Sequence, residues 1–208
     1  MTSTSSPAPV VTPSSNSATV LRLFEAAADA FSAKGFHATT TRDIASRAGL
    51  SPAGVYVHFA SKEDLLFQLS REGHEVSRDS LIEAVAASSS QTEALRAMIG
   101  AFARWHAEQH QVARIVQYEF RHLSDEHQQE VLALRREIDR IVEQVITAGV
   151  ASGEFTAVDP KATALAAMSM AVDVARWYHP GVRQTPEEIE RTYADLALRL
   201  VGVNPTDT

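Results

Sequence analysis

Between Thr40 and Phe59, small, aliphatic and hydrogen-bonding residues recur at spacings that fit two short helices crossing at a wide angle. A unit of that shape lays its second helix in the major groove of DNA, so its chemistry is recognition by contact. Counting from Thr41, Ala45, Gly49 and Val55 fall at positions 5, 9 and 15. These supply a small residue where two backbones approach, a glycine where the turn favours positive φ, and an aliphatic plug for the gap. Ile44, Ala48 and Leu50 complete the buried seam, with Phe24, Phe31 and Phe59 beneath it. Pro52, Ala53, Gly54, Tyr56, Val57 and His58 are left on or near the outer face, small or hydrogen-bonding side chains suited to a groove. A plain helical hairpin can show the same spacing. Against it, the second helix is too short to persist undocked, and its outer face lacks the acids of a solvated helix.

Other residues with chemical potential point elsewhere. Met98, Phe102, Trp105, Tyr118, Met168 and Trp177 combine large rings with flexible thioethers, a mixture that suits an adaptable apolar ligand pocket between helices, although any one of them alone reads more readily as ordinary core. Arg121 and Arg176 could meet an anionic ligand or simply pair on the surface. The eight histidines include His106 and His110 at i, i+4, yet "HAEQH" is not H-E-x-x-H and the chain has no cysteine. No metal or cofactor is expected. With no phosphate-binding glycine loop, dinucleotide fingerprint or G-x-S-x-G, a helical enzyme is the weaker reading.

The elements that must position these residues are helices almost throughout. Of the first 17 residues, twelve are Ser, Thr or Pro and none is charged, which reads as a disordered tail lacking the basic start of a signal peptide. Val20, Phe24, Ala27 and Phe31 mark a first helix that Gly35 stops. N-cap signals follow at Thr40, Ser51 (before Pro52), Ser61, Ser90, Ser124, Asp159 and Thr185. About nine helices and no strand pair result, an all-α chain. A three-helix helix-turn-helix domain is expected over 18–64, a larger ligand-binding and dimerisation domain over 65–203, and a short tail over 204–208. On the last helix Ile189, Tyr193, Leu196 and Leu200 share a stripe, and the helix before it is rich in alanine. Small faces allow close helix approach, so the two stripes suit either intramolecular core, which each alone favours, or together a homodimer interface with a second copy. One such module reads few base pairs, so specificity implies two copies on a pseudo-palindromic operator.

The net charge of −7 conceals an asymmetry. Residues 18–62 hold five basic and three acidic side chains, and 63–208 hold 14 and 23. A weakly positive segment on an acidic body can face DNA while the body stays clear of it. No apolar run is long enough for a membrane span, and the absence of cysteine fits a reducing cytoplasm.

The run "LFEAAADAFSAKGFHATTTRDIASRAGLSPAGVYVHFASKEDLL" resembles the N-terminal domain of the TetR/AcrR family of bacterial repressors. Ala26–Ala27, Phe31, Gly35–Phe36, Thr40–Thr41, Asp43–Ile44–Ala45, Ala48–Gly49, Tyr56, His58–Phe59 and Lys62 carry the resemblance. It implies that Thr40 and Thr41 bind phosphate, that Tyr56 and His58 contact backbone or base edges, and that Lys62 holds a phosphate. Pro52 and Ala53 stand where many relatives place Lys or Gly, leaving recognition more to Gly54 and Val57. The stretches "EFRHLSDEHQQEV", "GVASGEF" and "RWYHPGVRQTPEEIERTYADLALRLVG" resemble a branch that senses fatty-acid or steroid-derived coenzyme A thioesters. The expected protein is a homodimeric, ligand-responsive repressor released from double-stranded operator DNA by an acyl-CoA-like effector. An activator, or a regulator answering to a protein partner, is the alternative.

Overall fold

The computed structural model describes residues 15–204; the first 14 residues of the tail expected over 1–17, and the last four residues of the chain, lie outside them. Among the described residues there are nine α-helices and no strand: α1 (Ser15–Ala38), α2 (Thr41–Arg47), α3 (Pro52–Tyr56), α4 (Lys62–Ala87), α5 (Gln91–Glu108), α6 (His110–Tyr118), α7 (Asp125–Ser152), α8 (Pro160–Trp177) and α9 (Pro186–Leu200), with a 3-10 turn at Phe120–His122. The first helix begins at Ser15, three residues ahead of the domain start expected at 18. Gly35 does interrupt it, at φ 75° and ψ 166°, although helical turns resume to Ala38.

Local capping sets most boundaries. Ser51, Ser61, Ser90, Ser124, Asp159 and Thr185 each accept a bond from a backbone N–H three residues on. Each satisfies one of the orphan donors at a helix start. Helix α6 has no such signal: Gln109 precedes it without a side-chain cap, and only a change of direction separates α5 from α6.

Two apolar cores result. The smaller joins Leu23, Ala27 and Phe31 of α1 to Ile44, Val55, Phe59, Leu65 and Leu66, and includes Ile115 of α6, Leu123 and Val131 of α7. Fully burying a side chain such as Phe31 or Ile44 contributes about 1.5–3 kcal/mol. The larger is built around α5 and takes in Leu81, Ile99, Val142, Ile146, Met168 and Leu198. Helix α4 belongs to both, giving Leu65 and Leu66 to one and Leu81 to the other. Helix α9 lies along α5 at a glycine: a Cβ on Gly100 would meet Glu190 Cγ at 3.2 Å and the Glu190 carbonyl at 3.3 Å. No helix among the described residues is long and apolar enough to cross a membrane.

Candidate nucleic-acid interface and effector cavity

Helices α2 and α3 meet through Ile44, Ala45, Ala48 and Val55, all buried, while Gly49 turns the chain at φ 68°. Thr40 is held in a capping box: its hydroxyl accepts from Asp43 N–H at 3.1 Å, and both its own N–H and its hydroxyl donate to Asp43 Oδ2 at 2.9 and 2.8 Å. The Thr40 backbone and hydroxyl bonds, with Lys34 at 3.1 Å, hold the Asp43 carboxyl down at about 2. Thr41 Oγ1 shares a hydrogen bond of 3.2 Å with Tyr56 Oη, joining the first turn of α2 to the end of α3.

The outer face beyond that bond is open. Tyr56 is 54% and Val57 78% exposed, Ala53 is exposed, and Gly54 and His58 are part-buried. A methyl group on Gly54 would make ordinary contacts of 3.6 Å with Leu50 and Ser51. Arg42 and Arg47 are exposed on α2 and were not singled out in the sequence. An arginine beside a capping threonine was the available signal.

Lys62 is placed differently from expectation. Its ammonium donates to the carbonyls of Phe36 at 2.5 Å and Thr39 at 2.7 Å, and sits 4.2 Å over the Phe36 ring. Burial lowers its pKa. It closes the turn after α1, so much of its hydrogen-bonding capacity is spent inside the protein.

A cavity of about 530 Å³ lies between α4, α5, α6, α7 and α8. Phe102, Trp105, Tyr118 and Met168 line it. Met98 and Trp177 do not: Met98 is wholly buried in the larger core, and Trp177 packs on that core's edge. Tyr118 and Leu165, 53% and 61% exposed, place part of the wall at the surface.

The polar lining centres on groups that sequence reasoning passed over or read as something else. His74 Nδ1 bonds the Ser70 carbonyl at 2.6 Å, and its Nε2 accepts from Arg135 Nε at 3.1 Å. Arg135 Nη2 also donates to the Val116 carbonyl at 3.3 Å, and the guanidinium lies 4.7 Å from the Phe120 ring centroid. Burial lowers the pKa of Arg135 and takes both His74 and His106 down to about 4, so both imidazoles are neutral at pH 7. The His106 and His110 rings each turn back to a carbonyl of their own chain segment, at Phe102 and Ala107. A signal for the polar lining was present. Ser70, His74 and Ser77 interrupt the stripe from Leu66 to Leu81, and Arg135 interrupts that of Val131, Ile138 and Val142. Arg176, weighed earlier as an anion partner, is instead paired with Asp173 at 2.6 Å, and Arg121 bonds His122.

The presumed stripe on α9 is divided. Ile189 is buried in the larger core and Tyr193 is half-buried, whereas Leu196 and Leu200 are exposed. Ile189 is therefore withdrawn from the expected interface, because the helix turns it toward the protomer's own interior. On α8, Ala164, Ala167, Ala171 and Ala175 likewise face inward, leaving Ala162, Leu165 and Ala166 outside.

A docked helix-turn-helix at one end of an all-helical body with its own cavity defines a regulator that binds DNA. Comparison with known proteins agrees. Residues 23–69 match the family described as bacterial regulatory proteins, tetR family, and 88–201 match the tetracyclin repressor-like C-terminal domain. The structure is similar to that of a bacterial regulatory protein in the tetR family from Rhodococcus RHA1, at 37% identity and a TM-score of 0.82, covering 89% of this chain and 97% of that one. It also resembles the ketosteroid transcriptional regulator KstR2 of Mycobacterium tuberculosis, at 27% identity and a TM-score of 0.78, over 89% and 94% of the two chains. The HTH-type transcriptional repressor KstR2 of Rhodococcus jostii is 28% identical over 194 residues, 92% of this chain and 95% of that one. The chain belongs to the TetR family of transcriptional regulators and is not an enzyme.

Proposed function

We propose that this protein is a cytoplasmic, homodimeric repressor that leaves its operator when an acyl-CoA-type or steroid-derived molecule enters the cavity. The observation that carries this reading is the double membership of α6. Ala113 and Val116 line the cavity, while Ile115, between them, is buried in the core of the DNA-binding end. A ligand that shifts α6 therefore shifts the base on which α2 and α3 rest. Coupling of this kind is worth about 1–3 kcal/mol in typical regulators.

On the DNA side, Thr41 and Tyr56 act as a joined pair, the hydroxyl bond between them holding the Tyr56 ring at the edge of the exposed face. Ala53, Gly54 and Val57 make the close apolar fit to bases, Val57 reaching thymine methyls, and His58 stands beside them. Thr40 contributes by fixing the start of α2, since its N–H and hydroxyl serve Asp43. Arg42 takes the phosphate role that Lys62 is too engaged to fill alone. Dimerisation runs through the outward faces of α8 and α9, with Leu196 and Leu200 in the interface. KstR2 of Rhodococcus jostii bears the name of a repressor and its Mycobacterium tuberculosis namesake that of a ketosteroid regulator, which supports the sign of regulation and an apolar ligand.

The test is a gel shift with DNA from upstream of the protein's own gene, with and without decanoyl-CoA and steroid-derived CoA thioesters. A retarded band that a thioester abolishes is expected. Failure to bind that DNA at low salt overturns the reading.

A further inference from the structure

Arg135 differs from the part-exposed arginines that bridge helices elsewhere in what it is paired with. Arg78, Arg96 and Arg104 each meet at least one carboxylate within 4.0 Å. Arg135, more deeply placed, has no carboxylate that near among the described residues. Its two acceptors, the His74 imidazole and the Val116 carbonyl, are uncharged. Asp139, the one acid on the cavity wall, is near enough to favour the charged form of Arg135 but makes no contact with it within 4.0 Å, so the guanidinium has no carboxylate in its grasp. Arg135 is also the only Arg or Lys among the lining residues, in a wall dominated by Phe102, Trp105, Ile138 and Met168. A guanidinium withdrawn from water beside apolar side chains is costly without a carboxylate in direct contact, and its planar fork matches one.

We infer that Arg135 is the anchor for an oxyanion on the effector, a carboxylate carried by an apolar body, and that α6 reads this anchoring. The inference rests on the cavity being the effector site, as proposed above. Occupation would draw the guanidinium toward the ligand and away from the Val116 carbonyl and the Phe120 ring. Val116 lies on α6 and Phe120 packs against the smaller core, so the disturbed contacts lead directly toward the DNA-binding end. The same chemistry is met by a free fatty-type acid or by a thioester whose acyl part bears a second, acidic group.

The test compares two probes of one chain length, decanoate and 1-decanol, by isothermal titration at pH 8 on the full chain. Wild type should bind decanoate at least about tenfold more tightly than decanol. In Arg135→Gln that ratio should fall to near one, and in Arg135→Lys it should stand between. Folding of both variants is checked by circular dichroism, and the wild-type ratio decides the matter by itself if Arg135→Gln does not fold. Equal affinities in wild type, a ratio preserved in Arg135→Gln, or no binding of either probe overturns the inference. Failure of the repressor reading shows separately, as operator DNA that neither decanoate nor decanoyl-CoA releases although the Arg135-dependent ratio is present.

Discussion

At Gly54 the absence of a side chain is not needed for folding, since an added Cβ meets its neighbours at 3.6 Å and the backbone is helical. Alanine there should leave the melting temperature unchanged or raise stability by about 0.5–1 kcal/mol through helix propensity. Operator affinity should nevertheless fall about tenfold, because the methyl group occupies space the duplex must approach. A binding titration alongside a thermal melt separates the two effects, and unchanged affinity would remove Gly54 from the interface. Lys62 is the opposite case. Its ammonium holds two carbonyls at the end of α1, so Lys62→Ala should cost about 1–3 kcal/mol of stability, measured by urea denaturation. The salt dependence of DNA binding should change by less than the one unit that a dedicated phosphate contact would give.

Elements carry the pH response. His74 on α4 and His106 on α5 are both pushed from about 6.5 down to about 4 by burial. A base with a lowered folded pKa binds its proton more readily when unfolded. Stability is therefore complete above pH 6.5 and is lost as pH falls toward 4. Each shift corresponds to about 3 kcal/mol. Urea midpoints should fall steeply between pH 7 and 4.5, and His106→Gln should remove roughly half of that slope. A flat profile would mean the imidazoles are hydrated in the native state. The helices themselves were legible in the sequence. Thr40, Ser51, Ser61, Ser90, Ser124, Asp159 and Thr185 act within four residues of where they stand, so their effect needs no knowledge of the fold. Helix α6 was not marked in this way: its start at Gln109 has no capping side chain, and its packing between the two cores sets it apart from α5.

For the whole molecule, the decisive question is which faces of α8 and α9 remain for a partner. Leu196 and Leu200 are 37% and 43% exposed, so charges placed there should be tolerated by the protomer. The double variant Leu196→Glu/Leu200→Glu should sediment as a monomer with unchanged helical content, and should lose operator affinity at least about 100-fold as the second half-site is forfeited. A variant that remains dimeric in the ultracentrifuge would move the interface elsewhere. Periodicity placed Ile189 on the same stripe as these leucines. A stripe records only that four side chains share a side of a helix; which part of that side faces α5 depends on the approach at Gly100. By itself, the sequence determined the helices with local caps, the seam of Ala45, Gly49 and Val55, and the exposed outer face of α3, because each arises from residues close together in the chain. Only the tertiary structure decided what the cavity is. His74 and Val116 lie 61 and 19 residues from Arg135, and a buried cation acquires its meaning from neighbours that folding alone brings to it.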